Sequence, residues 1–287
     1  MVDIIAKNMV VYLNWMNNHK RLGELGKQIS VSTREILAWT NFINQLILSD
    51  THKKGEEDVF ASFVHGAHMV ILDGLGMGNT LTMSKKELSE WRHECSQYLL
   101  DLCPSHVREA FEGRQTFLES SSSFDILPNL SENTFSIGSF SIPCKNEILS
   151  EVNTESRTQI YAVDARKTVF NLGRILRAMQ SPRPILLEGP PGVGKTSLIA
   201  NLAALTGHCL TRVNLSEHSE LSDLLGCDLP CAAGGNGQDG DPAQFRWCDG
   251  VFLRAMKQGH WVLLDELNLA PQSVLEVSLL YTIFFGV

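Results

Sequence analysis

The sequence predicts a chain with two kinds of fold: an all-helical bundle over residues 1–112 and an α/β domain over 156–287, joined by a linker over 113–155. In the first part, apolar residues recur every three or four positions, which is the spacing of amphipathic helices. Serine becomes frequent in the middle part, which contains the run Ser120–Ser123 followed by Pro128. Short apolar runs then alternate with helical segments around a glycine-rich loop, a pattern typical of layered α/β domains.

The composition is that of a globular protein, with 44% hydrophobic and 20% charged residues and a formal net charge of −8. The negative charge makes non-specific nucleic-acid binding through a basic surface unexpected. We also expect no direct sequence-specific nucleic-acid binding. Seven cysteines without a repeating spacing favour a reducing compartment, the cytosol or the nucleus. The apolar tail Val277–Val287 is shorter than the roughly 20 residues of a membrane span, so we expect no membrane association.

The first predicted helix covers Val2–Met16, where Ile5, Val10, Leu13 and Met16 lie near helical spacing. These four side chains are expected to face the interior of the bundle.

The second predicted helix follows Ser32. Glu35 lies three residues later, which is the spacing of a capping box that satisfies free N–H groups at a helix start. One apolar face then recurs at three- and four-residue intervals, formed by Ile36, Trp39, Ile43 and Leu46.

A third helix is predicted to end at Gly74 or Gly76, and a fourth to start at Ser84, with Glu87 in the capping-box position. His65 and His68 are three residues apart on the third helix and could form a metal pair. A packed or partly solvated helix face is the better interpretation.

The linker contains a serine run and then "TFSIGSFSI", Thr134–Ile142, whose alternation predicts a short strand pair. A helix is predicted over 159–179. The α/β pattern begins with an apolar strand at Pro184–Glu188 and continues with a helix to Leu205. A second strand is predicted at 209–215, a helical turn at 220–226 and a third strand at 261–266.

The predicted strand Pro184–Glu188 leads into "GPPGVGKT", which fits the pattern G-x-x-x-x-G-K-[ST] at every fixed position. Glycines allow backbone N–H groups to point at phosphate oxygens, and the positive end of the following helix faces the same anion. A lysine here can reach the β- and γ-phosphates, and a threonine hydroxyl can ligate Mg²⁺. The predicted nucleotide-binding residues are Gly189, Pro190, Pro191, Gly192, Val193, Gly194, Lys195, Thr196 and Ser197.

Asp265 and Glu266 follow the apolar run "WVLL". Two adjacent acids after a strand are by themselves an ordinary loop start. Together with the upstream loop, they predict that Asp265 holds the Mg²⁺ shell and that Glu266 orients or deprotonates an attacking water. A small-molecule kinase would not specially need the second acid, so the pair favours a water-using NTPase.

Two other groups of residues invite a metal prediction. Cys227 and Cys231 are four apart, but no second pair completes a zinc site. Asp239 and Asp241 lie in a glycine-rich stretch, where a solvated loop is a better interpretation than a calcium site.

A resemblance to a known family rests on three segments: "LLEGPPGVGKTSLIANLAALTG", "VNLSEHSELSDLLGCDLP" and "FRWCDGVFLRAMKQGHWVLLDELNLAPQSVLE". Together they resemble one AAA+ module of the midasin family, dynein-related ATPases of large-ribosomal-subunit assembly. The likeness runs from about Phe135 to Glu276. "VSTREILAWTNFI" and "FVHGAHMVILDGLG" look like the lid of a preceding module. The predicted fold class is therefore an α/β P-loop NTPase (AAA+) core, preceded by an all-helical, lid-like bundle.

The resemblance implies roles for the matching residues and partners for the chain. Lys195 and Thr196 match the Walker A positions, Asp265 the Walker B metal acid, and Glu266 the catalytic glutamate. ATP and Mg²⁺ are the implied cofactors, with Thr196 and Asp265 as metal ligands. The implied partners are pre-60S ribosomal particles, their assembly factors, and neighbouring AAA+ modules that complete the site. The implied location is the nucleus (nucleolus and nucleoplasm).

The family pattern departs from this sequence after Glu276, where a sensor strand, an arginine-finger region and a lid are expected. We therefore expect a truncated core in which the strands at 184–188 and 261–266 lack their bridging neighbour. Each buried unpaired backbone group would cost about 1–3 kcal/mol. The tail at 277–287 is expected to be exposed or loosely helical, with a substitute strand or an aggregation-prone segment as alternatives.

Three functional hypotheses remain open at the level of sequence. The chain carries the machinery of an ATPase, although it is expected to be inactive or very slow in isolation. Alternatively, it binds nucleotide without turnover, or it is a protein-interaction fragment whose phosphate loop is incidental.

Overall fold

The structure, a computed structural model, describes residues 2–18, 33–48, 55–75, 84–109, 129–130, 134–145, 166–230 and 245–276. The chain divides into two compact units. The first, called the helical unit, contains residues 1–126 and 174–181. The second, called the α/β unit, contains residues 127–173 and 182–287. The predicted boundaries at 112/113 and 155/156 remain predictions.

Helices lie in each of the four segments where the sequence predicts them. They are α1 (Val2–Asn18), α2 (Thr33–Leu48), α3 (Glu56–Ala67) and α4 (Lys85–Asp101). Their apolar faces form one core, in which Tyr12, Trp39, Phe63 and Trp91 are fully buried. The prediction for Val10 is wrong, because its side chain is 57% exposed and Met9 and Tyr12 face the core instead.

The third helix changes its hydrogen-bonding pattern before it ends. After α3, residues His68–Leu72 form a π-helix, and Asp73 N–H donates to the His68 carbonyl at 2.8 Å. The chain then turns over 73–75, close to the predicted end at Gly74. Gly66 is needed within α3, because a Cβ there would lie 2.4 Å from the Trp39 ring.

The fourth helix begins with the predicted capping box. Glu87 N–H donates to Ser84 Oγ at 3.2 Å, and Ser84 N–H donates to Glu87 Oε2 at 2.8 Å. The corresponding pair before α2 includes Ser32, which lies outside the described residues. Capping side chains therefore fix the start of α4 locally, as the sequence predicts.

The α/β unit starts with the predicted strand pair, joined by a third short strand. Strands β1 (Asn129–Leu130), β2 (Thr134–Ile137) and β3 (Phe140–Pro143) form an antiparallel sheet in that order. Alternating residues of β2 and β3 are buried, namely Phe135, Ile137, Phe140 and Ile142. Helix α5 (Arg166–Met179) follows; its residues up to Gly173 belong to this unit and those from Arg174 onward to the helical unit. A Cβ added at Gly173 would lie 3.5 Å from the side chain of Ile137.

A parallel strand pair carries the rest of the unit. Helix α6 (Lys195–Thr206) leads to β4 (Leu210–Asn214), which pairs with β7 (Trp261–Asp265) so that Asn214 lies beside Asp265. Because side chains alternate across a strand, Val213 and Leu264 face one side of the pair, where they join a small core with Phe252. Arg212, Asn214, Leu263 and Asp265 therefore share the opposite face.

The stretch between β4 and β7 holds elements that the sequence only partly predicts. The predicted helical turn is α7 (Leu221–Leu225). Strands β5 (Gly226–Pro230) and β6 (Phe245–Asp249) then form an antiparallel hairpin, followed by α8 (Val251–Lys257). The hairpin and α8 were not predicted; Phe245 and Trp247 are largely exposed, so β6 lacks the alternation that marks a half-buried strand.

The predicted strand at Pro184–Glu188 is wrong, because this segment has no strand pairing in the structure. Ile185 and Leu186 are 39% and 68% exposed. A strand exists only by hydrogen bonding to a neighbour, and among the described residues β7 is paired with β4 alone. The expected lack of a bridging neighbour between this segment and β7, and its cost in stability, remain predictions.

Candidate nucleotide-binding site

The glycine-rich loop lies directly before helix α6. Gly192 and Gly194 have φ angles of +77° and +83°, a left-handed conformation that residues with a side chain rarely adopt. Gly194 is the N-cap of α6, and no side chain caps the N–H groups of its first turn. All six residues from Gly189 to Gly194 are exposed. The loop therefore presents backbone donors and the positive helix end to an incoming anion.

The lysine of the loop folds back over it. Lys195 Nζ donates to the carbonyls of Gly189 at 2.8 Å and Pro190 at 3.0 Å. The ammonium group thereby lies within hydrogen-bonding distance of the loop backbone. A phosphate oxygen can replace these two carbonyls as the acceptor. The loop residues present in the structure thus fit a phosphate group.

Thr196 and Asp265 meet although 69 residues separate them. Thr196 Oγ1 donates to Asp265 Oδ2 at 3.2 Å. The contact forms because Thr196 lies in the first turn of α6 and Asp265 is the last residue of β7. A hydroxyl and a carboxylate side by side next to a phosphate loop are oxygen ligands suited to Mg²⁺. The pair therefore fits a metal bound together with a nucleotide.

Arg212 is a further member of the site, and the sequence analysis missed it. Its Nη2 donates to Asp265 Oδ2 at 2.6 Å. The signal that could have found it is the strand period: Arg212 and Asn214 share one face of β4, and that face carries Asp265 on the neighbouring strand. The position of the neighbouring strand, however, is not given by the sequence of β4.

Asp265 is held as a carboxylate. Its partial burial opposes ionisation, but hydrogen bonds from Arg212, Glu266 N–H and Thr196, together with the charge of Arg212, lower its pKa below the usual value. Its second oxygen, Oδ1, accepts the N–H of Glu266 at 3.1 Å. The carboxylate is thus charged and oriented at neutral pH.

Glu266 has an unusual backbone conformation. Its φ and ψ are 56° and 43°. Among the described residues, no other residue except glycine has a positive φ. The left-handed conformation costs a residue with a side chain about 1–2 kcal/mol. Such strain is typical of functional sites. It turns the exposed Glu266 out of the strand directly beyond Asp265.

The remaining predicted site residues are exposed around the loop. Pro190, Pro191, Val193 and Ser197 all face solvent, with Val193 60% exposed. The structure therefore brings Lys195, Thr196 and Asp265 to one place and leaves these four at its rim.

Of the metal sites considered from sequence outside the loop, only the pair His65 and His68 lies wholly within the described residues. His68 Nε2 lies 3.3 Å from Ser96 Oγ, so this histidine has a neutral partner. Cys227 lies opposite Cys248 in the β5–β6 hairpin, whereas Cys231 lies outside the described residues. Within the ranges that the structure describes, no three His, Cys, Asp or Glu side chains form a metal-binding group.

Asp239, Asp241 and the tail 277–287 lie outside the described residues. No helix among the described residues is long and apolar enough to cross a membrane.

Burial raises the pKa of both Cys95 and Cys103 to about 12, so these thiols are not reactive nucleophiles near neutral pH.

Comparison with known families gives two matches along the chain. Residues 184–282 match the AAA domain (dynein-related subfamily), and residues 2–73 match the midasin AAA+ ATPase lid domain. The first match contains the glycine loop, Arg212 and the acid pair. The second contains α1, α2, α3 and the π-helix.

Comparison with curated proteins gives relatives over most of this chain. It is 38% identical over 274 residues to midasin of Dictyostelium discoideum, covering 94% of this chain and 4% of that protein. It is 34% identical over 262 residues to midasin of Giardia intestinalis, covering 91% of this chain and 5% of that protein. An uncharacterised protein of Staphylococcus saprophyticus is 32% identical over 115 residues, or 40% of this chain and 41% of its own length. The chain thus spans about one twentieth of the length of the two midasins.

Proposed function

Because this chain belongs to the midasin family of AAA+ ATPases, we propose that it binds ATP with Mg²⁺ at residues 189–197. Within the full-length protein, this site hydrolyses ATP to remodel pre-60S ribosomal particles. The observation that carries the proposal is the contact of Thr196 with Asp265 at 3.2 Å, beside the glycine loop. It joins the two halves of a metal-nucleotide site that are far apart in sequence.

Binding follows from the residues of the loop. The first-turn N–H groups of α6 and the loop backbone donate hydrogen bonds to the phosphate oxygens. Lys195 exchanges the carbonyls of Gly189 and Pro190 for oxygens of the β- and γ-phosphates. The positive ammonium group is attracted more strongly to the negatively charged phosphate oxygens than to neutral carbonyls, and this difference favours the exchange.

Catalysis depends on the two acids at the end of β7, Asp265 and Glu266. When bound, Mg²⁺ supplies positive charge that offsets the charge developing on the phosphates. Thr196 and Asp265 would hold it. Glu266 orients a water towards the γ-phosphorus and accepts its proton. Its left-handed backbone directs it beyond the strand end, where an exposed side chain has access to water.

The wider role is also part of the proposal. The nucleus, with its nucleolus and nucleoplasm, is the proposed location, and assembly factors on pre-60S particles are the proposed targets. A neighbouring AAA+ module would contribute an arginine that stabilises the transition-state charge, an effect typically worth about 10³–10⁵ in rate. Isolated chain is therefore expected to hydrolyse ATP slowly or not at all.

A second candidate function is nucleotide binding without turnover or, in the limit, a protein-interaction fragment. Two observations favour it: β7 is paired on one side only among the described residues, and Glu266 is exposed. An exposed site excludes water poorly, and this weakens the electrostatic stabilisation of a transition state.

The test is binding of a fluorescent ATP analogue to the purified chain with and without Mg²⁺. Saturable binding that is lost in Lys195→Ala supports the proposal. Lys86→Ala is the matched control, because Lys86 is an exposed lysine of α4 in the helical unit. A turnover assay with Glu266→Gln then separates the two candidates: hydrolysis that this variant abolishes supports an ATPase, and its absence in wild type supports binding only. A folded, soluble chain that binds no analogue would contradict both nucleotide-binding functions and leave the interaction fragment.

A further inference from the structure

Arg212 lies where a cation could compete for the metal-binding acid. The parallel register places Asp265 beside Asn214, and Arg212 is a diagonal neighbour on the same face of the strand pair. Its guanidinium therefore reaches the carboxylate from β4, while Thr196 reaches it from α6. The two donors converge from different elements on one side chain.

Both donors use the same oxygen. Asp265 Oδ2 accepts from Arg212 Nη2 at 2.6 Å and from Thr196 Oγ1 at 3.2 Å, whereas Oδ1 accepts Glu266 N–H at 3.1 Å. Lys195, the other nearby cation, is turned towards the loop carbonyls. Of the described side chains, Arg212 thus supplies the positive charge on this carboxylate.

The ion pair is positioned to be exchanged. The side chain of Arg212 is 57% exposed, and that of Asp265 is 21% exposed. A partly exposed arginine can swing into solvent at small cost, because exposed ion pairs contribute little free energy. Oδ2 is also the oxygen next to Thr196, so a metal held by Thr196 and Asp265 must share or take the place of the guanidinium.

We propose that Arg212 is a positioning residue: it holds Asp265 against Thr196 when no metal is bound, and it yields Oδ2 to Mg²⁺ when the nucleotide binds. Its charge then sets how strongly nucleotide binding depends on Mg²⁺. The inference rests on the proposed nucleotide-binding function and deepens it.

The sign of the effect follows from charge. A guanidinium beside Asp265 attracts the phosphates of a metal-free nucleotide but opposes the arrival of a divalent cation at the same oxygen. Removing the charge should therefore leave metal-free binding unchanged or weaker, and should strengthen the gain in affinity that Mg²⁺ provides. A purely structural arginine would instead change both affinities by the same factor.

The experiment measures the Kd of the fluorescent ATP analogue for the full chain, once in EDTA and once in Mg²⁺. The quantity compared is the Kd in EDTA divided by the Kd in Mg²⁺, which is the gain in affinity that Mg²⁺ provides. Arg212→Gln should raise this ratio about fivefold, the upper end of what a partly exposed ion pair contributes. Arg212→Lys, which keeps the charge, should stay near the wild-type ratio. Arg246→Gln is the matched control, because Arg246 is an exposed arginine on β6.

The outcomes separate this inference from the function on which it rests. An unchanged or lower ratio in Arg212→Gln, with wild-type binding intact, overturns the role of Arg212 alone. Absence of analogue binding to the wild-type chain overturns the proposed function and the inference with it. Arg212→Ala gives the same comparison if the Gln variant does not fold, as judged by circular dichroism.

Discussion

At the scale of single residues, the chemistry of this chain is concentrated in side chains whose partners come from other elements. Asp265 is oriented by a backbone N–H, a threonine hydroxyl and an arginine. In the helical unit, Asp73 is likewise held by side chains of another element, because it forms ion pairs with Arg174 and Arg177 of α5. The arginine partners of the two carboxylates differ in exposure: the side chain of Arg212 is half-exposed, whereas that of Arg177 is 11% exposed. The first ion pair is thus suited to exchange and the second to holding a structure in place.

His68 lies near that second ion pair and should make the stability of the chain depend on pH. Burial and the nearby Arg177 and Arg174 lower its pKa to about 4, although Asp73 acts in the opposite direction. The unfolded histidine, with a pKa near 6.5, binds protons more readily than the folded one. The free energy of unfolding should therefore fall as pH drops from about 6.5 to about 4, by up to about 3 kcal/mol.

Urea unfolding of the helical unit at pH 7.5, 6 and 5 measures this effect. His68→Gln keeps a hydrogen-bonding group near Ser96 and should remove most of the pH dependence in this window. His106→Gln, at an exposed position, is the control and should behave like wild type. Equal pH dependence in wild type and His68→Gln would show that another group is responsible.

At the scale of elements, glycines decide where the α/β unit turns. Gly207 ends α6 with a φ of +72°, and Gly226 passes from α7 to β5 with a φ of +117°. The two differ from the glycines of the phosphate loop, where a Cβ would meet nothing within 4 Å at Gly192 or Gly194. The loop glycines are thus required by backbone conformation, whereas Gly207 and Gly226 are required by conformation and by close packing.

Gly226→Ala should therefore disrupt the start of the β5–β6 hairpin. A Cβ there would lie 2.1 Å from the Cys248 carbonyl oxygen, a backbone atom that cannot move aside without breaking the ladder. We expect the free energy of unfolding of the α/β unit to fall by about 2–3 kcal/mol. Hydrogen exchange of the β5 and β6 amides at increasing denaturant concentration reports the change.

The control for this variant is Gly55→Ala, where a Cβ would meet nothing within 4 Å. Gly55 is the N-cap of α3, where alanine is less suited than glycine, so we expect the free energy of unfolding to change by at most about 1 kcal/mol. A Gly226→Ala chain as stable as the control would mean that the hairpin tolerates a rearranged turn at this position.

At the scale of the whole molecule, the chain consists of two units with separate cores. The helical unit buries its aromatic side chains around Tyr12, Trp39 and Trp91, and the α/β unit has a smaller cluster around Val213 and Phe252. The described members of the candidate site, from the glycine loop to the acid pair, all belong to the α/β unit. Nucleotide should accordingly act on one unit through direct contacts.

Hydrogen exchange with and without the Mg²⁺-bound ATP analogue tests this division. Exchange should slow in the segments 189–198 and 261–266, because bound nucleotide stabilises the closed state of these segments against the local opening that permits exchange. The segment 33–48 should be unaffected, and Lys195→Ala should abolish the protection. Protection of 33–48 equal to that of the loop would contradict direct action on the α/β unit alone.

The sequence by itself determined the features that depend on neighbouring residues. Helical spacing and the Ser84–Glu87 capping box specify α4 locally, and the pattern from Gly189 to Thr196 predicts the phosphate loop, because left-handed glycines and a following helix start are local requirements. The family resemblance adds the roles of Asp265 and Glu266.

Only the tertiary structure decided the features that depend on distant partners. The parallel register of β4 and β7 joins Arg212 to Asp265 across 53 positions, and the pattern of β4 alone contains no information about that neighbour. The same reason explains the wrong prediction at Pro184–Glu188: its apolar residues suit a strand, but strand formation requires a hydrogen-bonding partner, and the described residues provide none there.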